Sequence, residues 1–327
     1  MRFHLILLFF CTSASRVFAI PKWAMVQIPV ADVRSSTSVP LSTTTAYDSY
    51  QETQILYGET VQIMGASDPW YKIEAPEQQE FSHENRWQGY PGWIKQEAVR
   101  TLKKPLNLNF IVRKKMARLF TKPNTHCPYL PLSMGTKVLC KNVQKNGFWK
   151  IKKIDGKTGW ILEDEIRLLT PPLPEKFSRK LVVNSAFQLL GDPYFWGGRS
   201  AQIPELKNQV TAVDCSGLTH LAYRVAGIEI PRDAYEQYLK ARKIKKNELK
   251  MGDLIFSASK ETPGKVSHVA IFLDPSSILE APQTGQRVRR IEFEKKYGVP
   301  FETFKEDEPL GDRWIYFGTY FESNSDH

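Results

Sequence analysis

Cys215 is the residue of this sequence whose neighbours best suit a reactive thiol. It stands in the run Asp214-Cys215-Ser216-Gly217, where a predicted loop becomes a predicted helix. A thiol at a helix start faces unpaired backbone N–H groups and the positive end of the helix dipole, which favours the thiolate. A buried structural cysteine is the alternative, but the polar and flexible neighbours are typical of a turn. From these neighbours alone both interpretations stay open, and a nucleophilic role would need a base nearby.

His268 is the candidate for that base. It opens a predicted strand at residues 268–274, directly after a flexible loop at residues 262–267. A single histidine is more often a surface or core residue, but Cys and His from separate elements can form a thiol–imidazole pair. Glu280 follows twelve residues later on the next predicted strand. In a hairpin its carboxylate would face His268 and hold the imidazole.

The elements around these residues predict an α+β domain. Helices are expected over residues 175–190, with Gly191 as the stop, and after Cys215, with Gly227 as the stop. The apolar period then changes to that of strands, at residues 253–259, 268–274, 277–281, 287–293 and 314–320. Two helices followed by closely linked strands indicate an antiparallel sheet. The domain is expected to span residues 175–322, with a tail at residues 323–327.

The first half of the chain predicts two small β-barrels with an internal repeat. Residues 20–102 and residues 103–169 each contain a strand with Trp-Tyr-Lys-Ile or Trp-Lys-Ile, followed by a closing Gly-Trp-Ile. Unrelated β-hairpins of similar composition are the alternative. A proline-rich link at residues 170–174 disfavours both helix and central strand, and so marks the boundary to the α+β domain.

Five runs of residues in the second half carry a resemblance to a known family. In order they are Tyr194-Phe195-Trp196-Gly197-Gly198, Asp214-Cys215-Ser216-Gly217, Ile230-Pro231-Arg232-Asp233-Ala234, Met251-Gly252-Asp253-Leu254 and Ser267-His268-Val269-Ala270. Together they resemble the NlpC/P60 family of cell-wall cysteine peptidases, which implies a papain-like fold. The two β segments are similar to bacterial SH3-like (SH3b) domains. The combination resembles, more narrowly, the family's γ-D-glutamyl-L-diamino-acid endopeptidases.

The resemblance implies a mechanism for these residues. Cys215 would attack the γ-carbonyl of D-glutamate in a peptidoglycan stem peptide, His268 would take the thiol proton, and water would release a thioester intermediate. By motif position, the Tyr194 hydroxyl and the Cys215 backbone N–H would stabilise the oxyanion, which is often worth ~3 kcal/mol per donor. Glu280 would be the third member of the triad. The family most often has His there, so Glu280 is a departure.

The resemblance also implies a substrate groove. Asp214, Ser216 and Asp233 would lie in it, where the carboxylates suit the free amine of an N-terminal L-alanine. Glu52 and Tyr90, from the first β segment, would close that end of the groove. The segment at residues 199–213 looks longer than usual for the family and is expected to form a lid or a specificity loop.

The first nineteen residues are typical of a removable export signal, because Arg2 precedes a short apolar run and small residues follow. The run is too short for a membrane anchor, and acylation of Cys11 is a minor alternative. Removing the signal takes away Arg2 and Arg16 and lowers the formal net charge from +10 to +8. Such a charge favours anionic cell-wall polymers. We expect an exported protein that is periplasmic or associated with the cell wall.

Three cysteines remain once the signal is removed. Cys127 and Cys140 could form a disulfide or stay separate, and Cys215 is the thiol left over. Without CxxC spacing or a histidine cluster, we expect neither a metal nor a cofactor. The expected partners are peptidoglycan stem peptides or muropeptides, with no nucleic acid, no stable membrane insertion and a monomeric chain.

Two other functions fit parts of the sequence. The chain could be a non-catalytic cell-wall-binding protein, whose catalytic domain is inactive because of Glu280. It could also be an amidase or an acyltransferase on the same fold. The intact Cys215 and His268 favour the endopeptidase.

Overall fold

The computed structural model describes residues 22–37, 47–207 and 209–321. These residues form three units in chain order, which are two β-rich units and one unit with both helices and strands. The predicted signal at residues 1–19 and the predicted tail at residues 323–327 lie outside the described residues. Among the residues that are described, no helix is long and apolar enough to cross a membrane.

The two β-rich units repeat one sheet topology. The first contains β1 (Trp23–Val26), β2 (Val30–Arg34), β3 (Gln51–Leu56), β4 (Thr60–Ser67), β5 (Trp70–Glu80), β6 (Gln88–Lys95) and β7 (Val99–Leu102). The second contains β8 (Phe110–Val112), β9 (Met116–Phe120), β10 (Tyr129–Ser133), β11 (Lys137–Lys145), β12 (Phe148–Lys152), β13 (Thr158–Leu162) and β14 (Ile166–Leu168). Their spatial orders are β3-β2-β6-β5-β4-β1-β7 and β10-β9-β13-β12-β11-β8-β14. Corresponding strands therefore take the same places in the two sheets, so that β10 stands where β3 does and β14 where β7 does. The internal repeat predicts this correspondence.

The third unit has the predicted antiparallel sheet. Its helices are α1 (Glu175–Phe187), α2 (Cys215–Ala226), α3 (Ala234–Lys240) and α4 (Phe293–Tyr297). Its strands are β15 (Arg242–Lys243), β16 (Leu254–Ser259), β17 (Val266–Asp274), β18 (Ser277–Glu280), β19 (Arg289–Glu292) and β20 (Arg313–Thr319), in the order β15-β20-β16-β17-β18-β19. The fold class is therefore confirmed. The domain boundaries stay predictions, since the sheets define where strands end and not where domains do.

Two details of the third unit differ from the sequence-based expectation. The first helix ends at Phe187 instead of residue 190. Helices α3 and α4 were not predicted. They have only 7 and 5 residues, which is too short for a helical period to stand out. In contrast, α2 ends as predicted, because Gly227 adopts the left-handed conformation that stops a helix.

Buried charges join the first unit to the third. Arg199 donates from both terminal nitrogens to the Glu59 carboxylate at 3.2 and 2.9 Å, and Arg224 lies 3.3 Å from the same group. Glu59 is buried, as are the two arginines. Arg224 also donates to Glu77 at 2.8 Å, and Lys137 of the second unit bonds the same Glu77 carboxylate at 2.9 Å. All three units therefore meet at one cluster of ion pairs.

Glu59→Gln should lower the free energy of unfolding by about 3 kcal/mol, because two buried arginines would lose their shared carboxylate. Urea denaturation followed by tryptophan fluorescence measures this change. Glu84→Gln is the matched control, since Glu84 is an exposed partner of Arg86. It should shift the free energy of unfolding by less than about 0.5 kcal/mol. Equal shifts in the two variants would contradict a stabilising role for the buried cluster.

Candidate active site

Cys215 is the first residue of α2, as the sequence predicts. Asp214 caps this helix by accepting a 2.6 Å hydrogen bond from the Gly217 backbone N–H. Every residue of α2 is buried, so the helix is fixed between the sheet and the β-rich units. The thiol is thus carried by the most firmly packed helix of the unit.

The resting thiol keeps its proton, in contrast to the thiolate expected from the helix start. Burial raises the pKa of Cys215 to about 12, and the nearby Asp214 carboxylate adds to this. The Val269 and Ser216 backbone N–H groups and the Arg232 guanidinium act in the opposite direction but are outweighed. A site of this kind needs a base that takes the proton during attack.

His268 lies on β17 and faces Glu280 on β18 across the hairpin turn. The His268 Nε2 atom is 2.8 Å from the Glu280 Oε2 atom. Glu280 is fully buried, and its pKa is about 2, because the hydrogen bond and charge of His268 and the charge of Lys296 outweigh the effect of burial. An ionised carboxylate only accepts hydrogen bonds, so Nε2 is the ring nitrogen that carries a proton toward Glu280. The Nδ1 lone pair is then left to act as a base.

Two cations that the sequence reasoning missed also hold Glu280. Arg289 donates to Oε1 from Nε at 3.1 Å and from one terminal nitrogen at 2.9 Å, and Lys296 donates to Oε2 at 2.8 Å. Glu280 and Arg289 are direct cross-strand partners in the β18–β19 pairing. Opposite charges on paired strands would have been the signal, but it requires the strand register, which the sequence leaves open.

Tyr194 lies beside the two reacting residues. A cavity of about 250 Å³ is lined by Tyr194, Cys215 and His268, together with residues from β17, β19, β20, α4 and the loop after β18. Burial, with smaller contributions from Cys215 and Asp214, raises the pKa of Tyr194 well above its usual value. The phenol is therefore neutral and can donate a hydrogen bond into the cavity.

The side chains of Asp214 and Ser216 form hydrogen bonds within the protein. The Asp214 carboxylate accepts from Gly197, Ser216 and Gly217 and from two nitrogens of Arg232, at 2.6 to 3.2 Å. Both side chains are buried. Neither residue lines the cavity at Cys215, and Asp214 fixes the start of α2. Arg232, which holds the Asp214 carboxylate, was also missed by the sequence reasoning, although it stands inside one of the quoted motifs.

Asp233, Tyr90 and Glu52 come together at one end of the site. The Tyr90 hydroxyl donates to Asp233 at 3.0 Å and lies 3.4 Å from Glu52. Both carboxylates stay partly exposed, with side-chain exposures of 39% and 23%. Arg232 contacts Asp214 at 3.1 Å and Asp233 at 3.4 Å through a single nitrogen, so this acidic end lies one guanidinium away from the residue before Cys215.

The titratable groups at this acidic end differ in their protonation states. Burial raises the pKa of Asp233 to about 7, with Asp214 and Glu236 adding to the shift. The hydrogen bonds of His83 to Glu52 and Glu80 raise its pKa to about 9, so this imidazole is charged at neutral pH. Burial also raises the pKa of Tyr90 well above its usual value, which leaves a neutral donor between two acids.

The segment at residues 199–213 packs against the β-rich units. Arg199 bonds Glu59, the Gln54 side chain donates to the Val210 carbonyl at 2.6 Å, and Gln209 donates to the Val30 carbonyl at 3.0 Å. No described residue of the segment lines the cavity at Cys215. These contacts favour an interface role, and the predicted lid gains no support from them.

Cys127 and Cys140 are separate thiols in the structure. Cys127 lies at the surface of the second unit, and its sulfur donates to the Asn124 carbonyl at 2.8 Å. Cys140 is buried in the core of that unit. The open question of their pairing is thus answered in favour of two free cysteines.

Comparisons with known proteins agree with this geometry. Residues 191–301 match the NlpC/P60 family. Over 241 residues the chain is 27% identical to a γ-D-glutamyl-L-lysine dipeptidyl-peptidase of Bacillus subtilis, covering 74% of this chain and 75% of that protein. It is 35% identical over 121 residues to the murein DD-endopeptidase MepH of Escherichia coli, covering 36% and 41%. The crystal structure of an NlpC/P60 family protein from Bacillus cereus shares the fold, with a TM-score of 0.72, 22% identity and coverage of 91% of this chain and 99% of that one.

Proposed function

We propose that the chain is a cysteine peptidase of the NlpC/P60 family, which residues 191–301 match, and that it cleaves the γ-D-glutamyl bond to a diamino acid in peptidoglycan stem peptides. The reaction would release a dipeptide with a free N-terminal L-alanine. The similarity to the B. subtilis dipeptidyl-peptidase over three quarters of both chains supports this substrate class. The contact of Tyr90 with Asp233 is the observation that supports the proposal most, because it would close a substrate groove at the acidic end.

The proposed mechanism uses His268 as the base for Cys215. Nδ1 of His268 takes the proton from Cys215 as the sulfur attacks the γ-carbonyl of D-glutamate. The carbonyl oxygen becomes an oxyanion that Tyr194 and the Cys215 backbone N–H stabilise by donating hydrogen bonds. The imidazolium then gives its proton to the leaving amine, and a thioester remains on Cys215. Water attacks this thioester, with His268 again as the base, and restores the thiol.

The acidic end accounts for the length of the product. Glu52 and Asp233 flank the neutral Tyr90 hydroxyl and keep part of their surface open to a ligand. A primary ammonium group suits two carboxylates and one hydroxyl, whereas an acylated amine has no charge and only one of the three N–H donors. The enzyme would therefore act on peptides whose N-terminal L-alanine is free. Asp214 would support this end through Arg232.

Defined peptides test this proposal. L-Ala-γ-D-Glu-meso-diaminopimelate should be cleaved after D-glutamate, and N-acetylation should lower kcat/KM by about 30-fold through loss of the charge-assisted contacts. Since the pKa of Asp233 is about 7, this carboxylate is neutral at pH 6 and gains its charge as the pH rises. KM for the free peptide should therefore fall between pH 6 and 7.5, where the α-amine stays largely protonated. Chromatography with mass detection of the products measures both effects.

Asp233→Asn provides the control for this interpretation. The variant should lose most of the discrimination between free and acetylated peptides, together with the fall in KM over this pH range. The acetylated peptide should behave alike in both proteins. Equal rates on free and acetylated peptides in the unaltered protein would contradict the amine site, and cleavage of a different bond would indicate an amidase or an acyltransferase.

The type of the first two units and the location of the enzyme are proposed mainly from the sequence. We propose that the two β-rich units are SH3-like domains, since their strands repeat one order and carry the Gly-Trp-Ile pattern. The proposed export signal at residues 1–19 would place the enzyme outside the inner membrane, in the periplasm or at the cell wall. A monomer would suffice, because one chain supplies both Cys215 and Tyr90.

A further inference from the structure

The cavity at Cys215 has a cationic side that the proposed mechanism does not use. Three of the residues that line it are Arg289, Lys296 and Arg313. None of the described lining residues is acidic. Glu280 lies beneath this wall and is fully buried, so a ligand in the cavity would meet the cations and not the carboxylate.

The positive charge of this side exceeds what Glu280 can balance. Arg289 and Lys296 share the single charge of Glu280. Arg313 has a side-chain exposure of 43%, and its Nε atom lies 3.8 Å from Asp312, a carboxylate that is 85% exposed and outside the cavity. Such a long, solvated pair is weak. Arg313 is therefore available to a ligand.

The charge of Arg313 acts in the same region as the charges of Glu280, Arg289 and Lys296. Its charge and that of Glu280 both act on the partly buried Tyr297 phenol, which follows Lys296 on α4. Arg289 uses Nε and one terminal nitrogen on Glu280, and within the described residues its other terminal nitrogen makes no hydrogen bond. Two guanidinium groups thus offer free donors to one cavity.

The two ends of the site have opposite charge. Asp233 and Glu52 lie at the end reached through Arg232, and the cations line the cavity beyond His268. A peptide with its amine at the acidic end places its scissile carbonyl at Cys215 and its leaving residue at the cationic side. We therefore expect the leaving residue to carry a negatively charged group.

We propose that Arg313, assisted by Arg289, binds the side-chain carboxylate of the leaving residue and so selects a diamino acid with a carboxylate at each end over lysine. The inference rests on the proposed function and names the leaving group for the same site. Guanidinium groups suit this task because they bind carboxylates through paired donors. Lysine would place an ammonium group against Arg313 and lose the contact.

Two peptides and two variants test the proposal. The substrates are L-Ala-γ-D-Glu-meso-diaminopimelate and L-Ala-γ-D-Glu-L-Lys, which differ only at the end of the leaving side chain. The unaltered protein should favour the first by about tenfold in kcat/KM. Arg313→Gln should raise KM for that peptide by about tenfold, with a loss of only about twofold on the lysine peptide, so that most of the preference disappears.

Arg290→Gln is the matched control. Arg290 neighbours Arg289 on β19 and is exposed, but it lies against Asp274 and does not line the cavity. This variant should keep the tenfold preference. The full chain is used throughout, and circular dichroism of Arg313→Gln should match that of the unaltered protein, since the side chain is half exposed.

The outcomes separate this inference from the proposed function. Equal kcat/KM on the two peptides would overturn the inference and leave the proposed function intact. An equal loss on both peptides in Arg313→Gln would also overturn it, because the carboxylate bound would then be one that both peptides share, such as the α-carboxylate of D-glutamate. If neither peptide is cleaved, the proposed function fails. Calorimetric binding of the two intact peptides to Cys215→Ala then decides the inference alone, and equal affinities would overturn it.

Discussion

Cys215→Ala should abolish hydrolysis of L-Ala-γ-D-Glu-meso-diaminopimelate, with a loss of kcat of at least about 10⁴-fold. No other group on the cavity wall can form the thioester, because the neighbouring His268 and Tyr194 act as base and hydrogen-bond donor. The removed sulfur is small and lies at a helix start, so the fold should survive. Peptide chromatography measures the loss of turnover, and mass spectrometry of the quenched protein detects the acyl adduct, which should be present only with Cys215.

Cys127→Ala is the control for this result. Cys127 is a free thiol of the second unit whose sulfur contacts only backbone carbonyls, of Lys122 and Asn124. Its removal should leave kcat within about twofold, because it alters neither the cavity nor the interface. Turnover by Cys215→Ala at more than about a hundredth of the normal rate would contradict the assignment and point to a different nucleophile.

The sequence allowed the catalytic elements to be predicted because their signals are local. A polar turn before an apolar helical period located α2, and Gly227 located its end. The hairpin that brings His268 to Glu280 could be predicted from two apolar strands around a short turn, at residues 274–277. Such signals depend on a few adjacent residues, so they need no knowledge of the remaining chain.

The electrostatics of the site could not be predicted in the same way. The sequence favoured a thiolate at Cys215 from the helix start alone, whereas the structure raises the pKa of the thiol to about 12 because burial and Asp214 outweigh the local donors. Arg232 bonds the Thr53 hydroxyl across the interface at 2.7 Å, over 179 positions of the chain. Contacts of that range have no periodic or compositional signal.

The two copies of the repeat differ in the hairpin that reaches the third unit. In the first unit the hairpin of β5 (Trp70–Glu80) and β6 (Gln88–Lys95) is much longer than its counterpart in the second, β12 (Phe148–Lys152) and β13 (Thr158–Leu162). The extra length carries Gln79, whose carbonyl accepts from the Arg232 N–H at 2.9 Å, and Ser82, which bonds Glu236. The same hairpin presents Tyr90 to Asp233. The first unit therefore completes the acidic end, and the second is tied to the charged cluster through Lys137.

Glu280→Gln should lower kcat by about 10³-fold, the second largest effect that we expect. The amide keeps the size of the side chain but removes the charge that holds the Nε2–H tautomer and balances Arg289 and Lys296. Without the carboxylate, the two cations disfavour the imidazolium that forms when His268 takes the thiol proton. The acid limb of the kcat–pH profile should then move to lower pH while the plateau drops. Steady-state kinetics between pH 4 and 9 measure both changes.

Glu280→Asp separates the charge from the geometry. Aspartate keeps the negative charge at a greater distance, so it should lose about tenfold in kcat with an acid limb close to that of the unaltered protein. A purely structural role would instead lower the unfolding midpoint of both variants without moving the limb in either. If Glu280→Gln kept both its rate and its limb, Glu280 would not be the third member of the triad. A neutral or positive side chain at this position would not stabilise the imidazolium, so an anionic third member would make the base at Cys215 stronger while offsetting part of the charge of Arg289 and Lys296.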